Sequence, residues 1–153
     1  MTAAVLYASN DIGVKQEPNH MEPTLHPQLS KGTILVIDDD AMMQNLFMIM
    51  LKYLEYDSVY IFEGSEAPRL YKQARDEGDP FTGVVLDLHN RLGKGGIETF
   101  IDLRELDSEV KAVICSADTD ALAMKQFLSH GFRGTLAKPF GLDDLDNILK
   151  SIL

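Results

Sequence analysis

The stretch Gly83-Val84-Val85-Leu86-Asp87-Leu88-His89-Asn90 decides how this chain is read. An unbroken apolar run enters one carboxylate, and polar, glycine-rich sequence follows through Leu92-Gly93-Lys94-Gly95-Gly96. A short run without alternation fits a strand buried on both faces, as in a parallel sheet covered by helices. Such strands end at the rim of the sheet, where α/β folds bind ligands beyond the carboxyl ends of their strands. Asp87 is therefore expected at that rim, and the other strand ends determine what meets it.

Working outward, Thr33 to Ile37 forms a second apolar run that stops in Asp38-Asp39-Asp40. A Met-rich helix is predicted from Ala41 to Leu54, apolar at 43, 46, 47, 50 and 54, with Asp40 capping its first amides. Ser58 to Phe62 reads as a strand. Ser65 is expected to cap a helix reaching about Glu77, with Pro68 tolerated in its first turn and Gly78 as its stop. Past Asp87, Ile97 to Leu106 reads as a helix offering Ile97, Phe100, Ile101 and Leu103 to the core. Val110 to Cys115 is a strand ending at Ser116, and Thr119 to His130 a helix ended by Gly131. Thr135 to Ala137 is a brief strand running into Lys138-Pro139-Phe140. The last helix carries apolar residues at Leu142, Leu145, Ile148, Leu149 and Ile152.

Five strands alternating with five helices imply a parallel sheet covered on both faces. Right-handed crossovers leave few topologies, and the economical one is a flavodoxin-like (βα)5 doubly wound sheet of order 2-1-3-4-5. That order sets the first and third strands side by side, so Asp38, Asp39 and Asp87 converge, and Ser116 and Lys138 reach the same edge.

The composition suits one globular domain: 153 residues, 45% hydrophobic and 25% charged. A formal charge of -10 argues against a nucleic-acid surface and against a polybasic membrane patch. No apolar stretch approaches the ~20 residues of a membrane helix. Ala3 to Ala8 lacks preceding basic residues and is short for a signal-peptide core. The one cysteine, Cys115, excludes an intrachain disulfide and sits in an apolar run as an inert thiol. A cytoplasmic protein is expected. Residues 1–32, with Pro18, Pro23 and Pro27 and no sustained period, read as an N-terminal extension or linker ahead of a domain over 33–153. Within it, Val5 to Tyr7 could add an edge strand. His20, His26 and His130 show no ligand-like grouping.

Clustered carboxylates repel, and a hard divalent cation resolves the repulsion; Mg²⁺ suits carboxylates, a carbonyl, waters and a phosphate oxygen. A phosphoryl group at Asp87 would meet the cation, the Lys138 ammonium and the Ser116 hydroxyl. Phosphoryl transfer needs mainly alignment and charge neutralisation, and an aspartate is a competent acceptor. Each residue alone has an ordinary role: Asp38 to Asp40 as a helix start, Asp87 as a turn residue, Ser116 as a cap, Lys138 as a loop charge. Their meeting at one edge is what requires another account.

With these residues in place, 33–153 resembles a response-regulator receiver domain of the CheY-like family. The resemblance lies in Asp38-Asp39, Asp87, Ser116-Ala117 and Lys138-Pro139-Phe140. The family has the 2-1-3-4-5 sheet, so the sheet order and the resemblance are not independent. It implies Asp87 as phosphoacceptor, with Lys138 and Ser116 assisting. It implies Mg²⁺ (Mn²⁺ as a substitute) on Asp39, on Asp38 through water, on Asp87 and on the His89 backbone carbonyl, and a cis Lys138–Pro139 peptide. His89 and Asp118, each two residues past a site residue, would set the lifetime of the acyl phosphate. The family's usual proline four residues after the acceptor is Arg91 here, and the aromatic switch position is Thr135. The glycine-rich loop and Leu136-Ala137-Lys138-Pro139-Phe140 most resemble receivers attached to hybrid sensor kinases.

The expected function is a phosphorelay switch. A histidine kinase or histidine phosphotransfer protein donates to Asp87, and output runs through the fourth helix, fifth strand and fifth helix. With nothing after Leu153 to act as effector, output is expected from a partner, a homodimer or a longer parent chain. Self-phosphorylation and autodephosphorylation, rather than turnover of an external substrate, are expected. Two other classes fit parts of the pattern. A haloacid-dehalogenase-like phosphohydrolase would need an acid where His89 stands, and a pseudo-receiver would never be phosphorylated.

Overall fold

The computed structural model describes residues 29–153. The expected extension therefore lies outside the described residues up to position 28, together with Val5 to Tyr7, His20 and His26. The chain runs β1 (Thr33–Ile37), α1 (Ala41–Tyr53), β2 (Asp57–Ile61), a 3-10 turn (Gly64–Glu66), α2 (Ala67–Asp76) and β3 (Gly83–Asp87). It continues with α3 (Gly96–Leu106), β4 (Ala112–Ser116), α4 (Leu122–Lys125), α5 (Phe127–His130), β5 (Gly134–Ala137) and α6 (Leu142–Ile152). The five strands form one parallel sheet of order β2-β1-β3-β4-β5, the flavodoxin-like arrangement expected from the sequence.

Alternation along each strand divides the core into two layers. Leu35, Ile37, Val84, Leu86, Ala112 and Ile114 face α2, α3, α4 and Phe132. Ile34, Val36, Val85, Val113, Cys115 and Leu136 face α1 and α6 through Phe47, Leu51, Leu145 and Leu149. Every residue of β3 and β4 is buried, which is why neither run alternates in polarity. Each fully buried Leu, Ile or Phe here contributes about 1.5–3 kcal/mol from area burial alone.

Several local expectations are corrected. Ser65 does not cap a helix: it lies inside the 3-10 turn, its hydroxyl donates to Glu63 at 2.8 Å, and α2 begins at Ala67 with Pro68 in its first turn. The segment 119–130 is not one helix. It breaks at Gln126 (φ -112°, ψ 27°) into two four-residue pieces, so the chain has six helices rather than five among the described residues. The fourth strand starts at Ala112, not Val110, because Val110 still closes the turn onto Asp107. Ile101 is 53% exposed, whereas Thr99 takes a core position beside Phe100 and Leu103. Asp40 does cap α1, accepting from the Met42 amide at 2.8 Å.

Candidate functional site

Parallel pairing aligns the carboxyl ends of the strands, and register brings the acids level. Ile37 pairs with Leu86, so Asp38 follows β1 at the height of Asp87. Asp87 pairs with Cys115, and Ser116 with Ala137, so Ser116 and Lys138 arrive one step further along the same edge. Here a cavity of about 590 Å³ opens, lined by Asp38, Asp39, Asp40, Ala41, Asp87, His89, Arg91, Ala117 and Lys138.

Lys138 bridges two strand ends. Its Nζ donates to Asp38 Oδ2 at 2.9 Å and to Asp87 Oδ1 at 3.1 Å, across sequence separations of 100 and 51 residues. Asp38 is 2% exposed and Asp87 7%. Asp38 is held further by the Asp40 amide, which donates to its Oδ1 at 2.9 Å, and by Gln44 Nε2, which donates to its carbonyl at 3.0 Å. Burial pushes the Asp38 carboxyl above its ordinary value, against the Asp40 amide and the Lys138 ammonium. Burial works to lower the Lys138 ammonium, but the hydrogen bond and charge of Asp38, with Cys115 and Asp87 adding, carry it above its ordinary value.

The loop after β3 is fixed on both sides. Asn90 is buried; its Nδ2 donates to the Phe62 carbonyl at 2.7 Å and its Oδ1 accepts from the Leu92 amide at 2.8 Å. The Arg91 amide donates to Asp39 Oδ2 at 2.8 Å, tying this loop to the acidic pair. Gly96 starts α3 so close to the acceptor strand that a Cβ there would lie 2.5 Å from the Asp87 carbonyl oxygen. The Lys138–Pro139 peptide is cis.

Oxygen atoms of Asp38, Asp39 and Asp87 lie within 4.8 Å of one another. An all-oxygen, anionic set of this kind fits a hard divalent cation such as Mg²⁺ and offers nothing to a metal that prefers nitrogen or sulfur.

The sequence-predicted residues do not all converge. Asp38, Asp39, Asp87, His89 and Lys138 share the cavity. Ser116 is fully buried behind Ala117, and its hydroxyl accepts from the Asp118 amide at 3.0 Å. Asp118 is turned away: its Oδ1 accepts from the Asp120 and Ala121 amides at 3.1 Å each, closing the turn ahead of α4. Thr135 lies on a separate groove with Leu136, Asp144, Asn147 and Ile148. Gln44, Asn90 and Arg91 were not singled out as site residues. Gln44 carried a signal, a polar side chain on the same helix stripe as Phe47 and Leu51.

A family model for the response regulator receiver domain matches residues 34–150. The chain belongs to that family. As a receiver domain of two-component systems it is 33% identical over 107 residues to the DNA-binding response regulator MtrA of Mycobacterium tuberculosis. That match covers 70% of this chain but 44% of the relative, so the chain spans less than half the length of that protein. It is 27% identical over 121 residues to the chemotaxis protein CheY of Halobacterium salinarum, covering 78% of this chain and 95% of that protein. Among solved structures, the receiver domain of a sensor histidine kinase from Pseudomonas aeruginosa superposes with a TM-score of 0.69 at 22% identity. The overlap covers 79% of this chain and 96% of that one, whose structure holds a magnesium ion coordinated in the active site cleft. Among the described residues of this receiver, no helix is long and apolar enough to cross a membrane.

Proposed function

We propose that Asp87 is the phosphoacceptor of a phosphorelay switch, taking its phosphoryl group from the phosphohistidine of a histidine kinase or histidine phosphotransfer protein. The observation that carries this reading is the Lys138 ammonium, shared at 2.9 and 3.1 Å between the ends of β1 and β3 inside a cavity walled by acids. An Asp87 oxygen attacks phosphorus and the P–N bond to the donor imidazole breaks. The nitrogen keeps the electron pair, and Asp87 becomes an acyl phosphate. Lys138 already hydrogen-bonds the attacking carboxylate, so its protons are in place for the phosphoryl oxygens without a long rearrangement. Ser116, buried outside the cavity lining with its hydroxyl oxygen accepting from the Asp118 amide, would have to be uncovered before its proton could reach a phosphoryl oxygen.

Asp38, Asp39, Asp87 and the His89 carbonyl would hold Mg²⁺, or Mn²⁺ in its place. When bound, the cation supplies charge neutralisation for the phosphoryl oxygens. The donor set of three carboxylates supports this, as does the magnesium in the Pseudomonas receiver. His89 at the cavity wall has access to water attacking the acyl phosphate, whereas Asp118 would have to leave its turn contacts to take part. Output would pass through the surface of α4, α5, β5 and α6, to a partner or a second copy, in the cytoplasm. The chemistry is the domain's own phosphorylation and dephosphorylation, with no external substrate turned over.

The test is intact mass after incubation with acetyl phosphate and Mg²⁺. Wild type should gain one phosphoryl group, and Asp87→Asn none. Continuous turnover of phosphoesters would favour a hydrolase, and absence of both labelling and Mg²⁺ binding would favour a pseudo-receiver.

A further inference from the structure

We propose that the Arg91 guanidinium is an anion-receiving group of the acceptor site, favouring a dianionic phosphoryl donor and opposing the divalent cation. The proposal rests on the reading of Asp87 as acceptor. Arg91 lines the same cavity as Asp38, Asp39, Asp87 and Lys138, and is an exposed residue. Its own amide, donating to Asp39 Oδ2 at 2.8 Å, anchors the root of the side chain against the acidic pair.

Among the described residues, nothing holds the side chain itself. Arg69, Arg75, Arg104 and Arg133 each engage a partner through the guanidinium. Arg91, among the described residues, has no side-chain hydrogen bond or ion pair. An unpaired guanidinium beside this cavity raises the local potential, which attracts a phosphoryl dianion and repels Mg²⁺. Its planar fork matches two phosphoryl oxygens at once, whereas a lysine there would act as a point charge. The opposite signs of the two effects separate this role from a structural one, since a merely loosened loop would weaken both.

The experiment compares wild type, Arg91→Ala and Arg91→Lys. Phosphorylation by acetyl phosphate is followed by intact mass at several salt concentrations, and Mg²⁺ affinity by calorimetric titration. Arg91→Ala keeps the amide that Asp39 needs. Its half-saturating donor concentration should rise about three- to tenfold, as for an exposed charge contact of up to 1.4 kcal/mol. The maximal rate should stay within about twofold, since only donor binding is lost. Its rate should also depend less on salt, its Mg²⁺ affinity should be equal or tighter, and Arg91→Lys should recover part of the loss. The proposal is overturned if Arg91→Ala matches wild type throughout, or if it loses maximal rate and Mg²⁺ affinity together. If wild type itself takes no phosphoryl group, the acceptor reading fails first and Arg91 falls with it.

Discussion

Lys138 holds two carboxylates that would otherwise confront each other at a strand boundary with little water between them. Its own side chain is 18% exposed, and those of Asp38 and Asp87 are 2% and 9%. Removing one member of such a group leaves buried charge uncompensated, which costs more than the pair contributed when intact. Lys138→Met should therefore lower the unfolding free energy by about 2–3 kcal/mol in metal-free buffer, somewhat below the fully buried case. Chemical denaturation with and without Mg²⁺ checks this: a divalent cation should return much of the loss, and an unchanged midpoint would count against the bridge. Of these residues, the acids and the lysine were legible in sequence because each ends an apolar run. Arg91 was visible only as a departure from the family pattern. Its contribution lies in a backbone amide and an unpaired side chain, and neither leaves a trace in residue type.

The strands were the legible elements, since an apolar run stops wherever the chain leaves the sheet. The helices on the far side of β4 were not. Thr119 to Gln126 is polar or small at most positions, so periodicity could not register the break between α4 and α5. Neither piece has a side-chain cap of its own, and Leu122 and Leu128 stand 65% and 71% exposed. The Ser65 expectation failed for a related reason: the capping-type residue was itself taken into a 3-10 turn that precedes the helix. The start of α3 offers the sharpest test at this scale. Alanine is favoured over glycine by up to about 1 kcal/mol in a helix interior, less at a first position. At Gly96 the added Cβ would sit 2.5 Å from a backbone oxygen that cannot swing aside. Overpacking costs about 1–3 kcal/mol, so the clash outweighs the propensity. Gly96→Ala should be less stable by about 1–2 kcal/mol and slower to take a phosphoryl group at Asp87. Thermal unfolding and the mass assay would show it; a stabilised variant would mean the loop yields freely.

For the molecule as a whole, alkaline pH reads out the integrity of the layer beneath the site. Burial pushes the Cys115 thiol up to about 12, with Asp87 and Asp38 adding to the shift and Lys138 opposing it. An unfolded thiol ionises near 9. Between these values the unfolded chain loses its proton while the folded one keeps it, so the folded state binds more protons and stability falls as pH rises. The loss should begin near pH 9, reach at most about 1.4 kcal/mol per pH unit for this group, and shrink in Cys115→Ala. Urea midpoints from pH 8 to 11 measure it, and a slope unchanged by Cys115→Ala would assign the effect elsewhere.

All the chemistry described here gathers on one rim, while the described chain enters and leaves by the other. Residues 30–32 meet the start of β2, and the Leu153 carbonyl accepts from Lys111 just ahead of β4. Anything joined after Leu153, whether a purification tag, a fluorophore or a neighbouring module, would be tethered at the floor of the sheet with the doorway left clear. A surface-immobilised preparation anchored through its last residue would thus present the cleft outward, ready for a docking measurement.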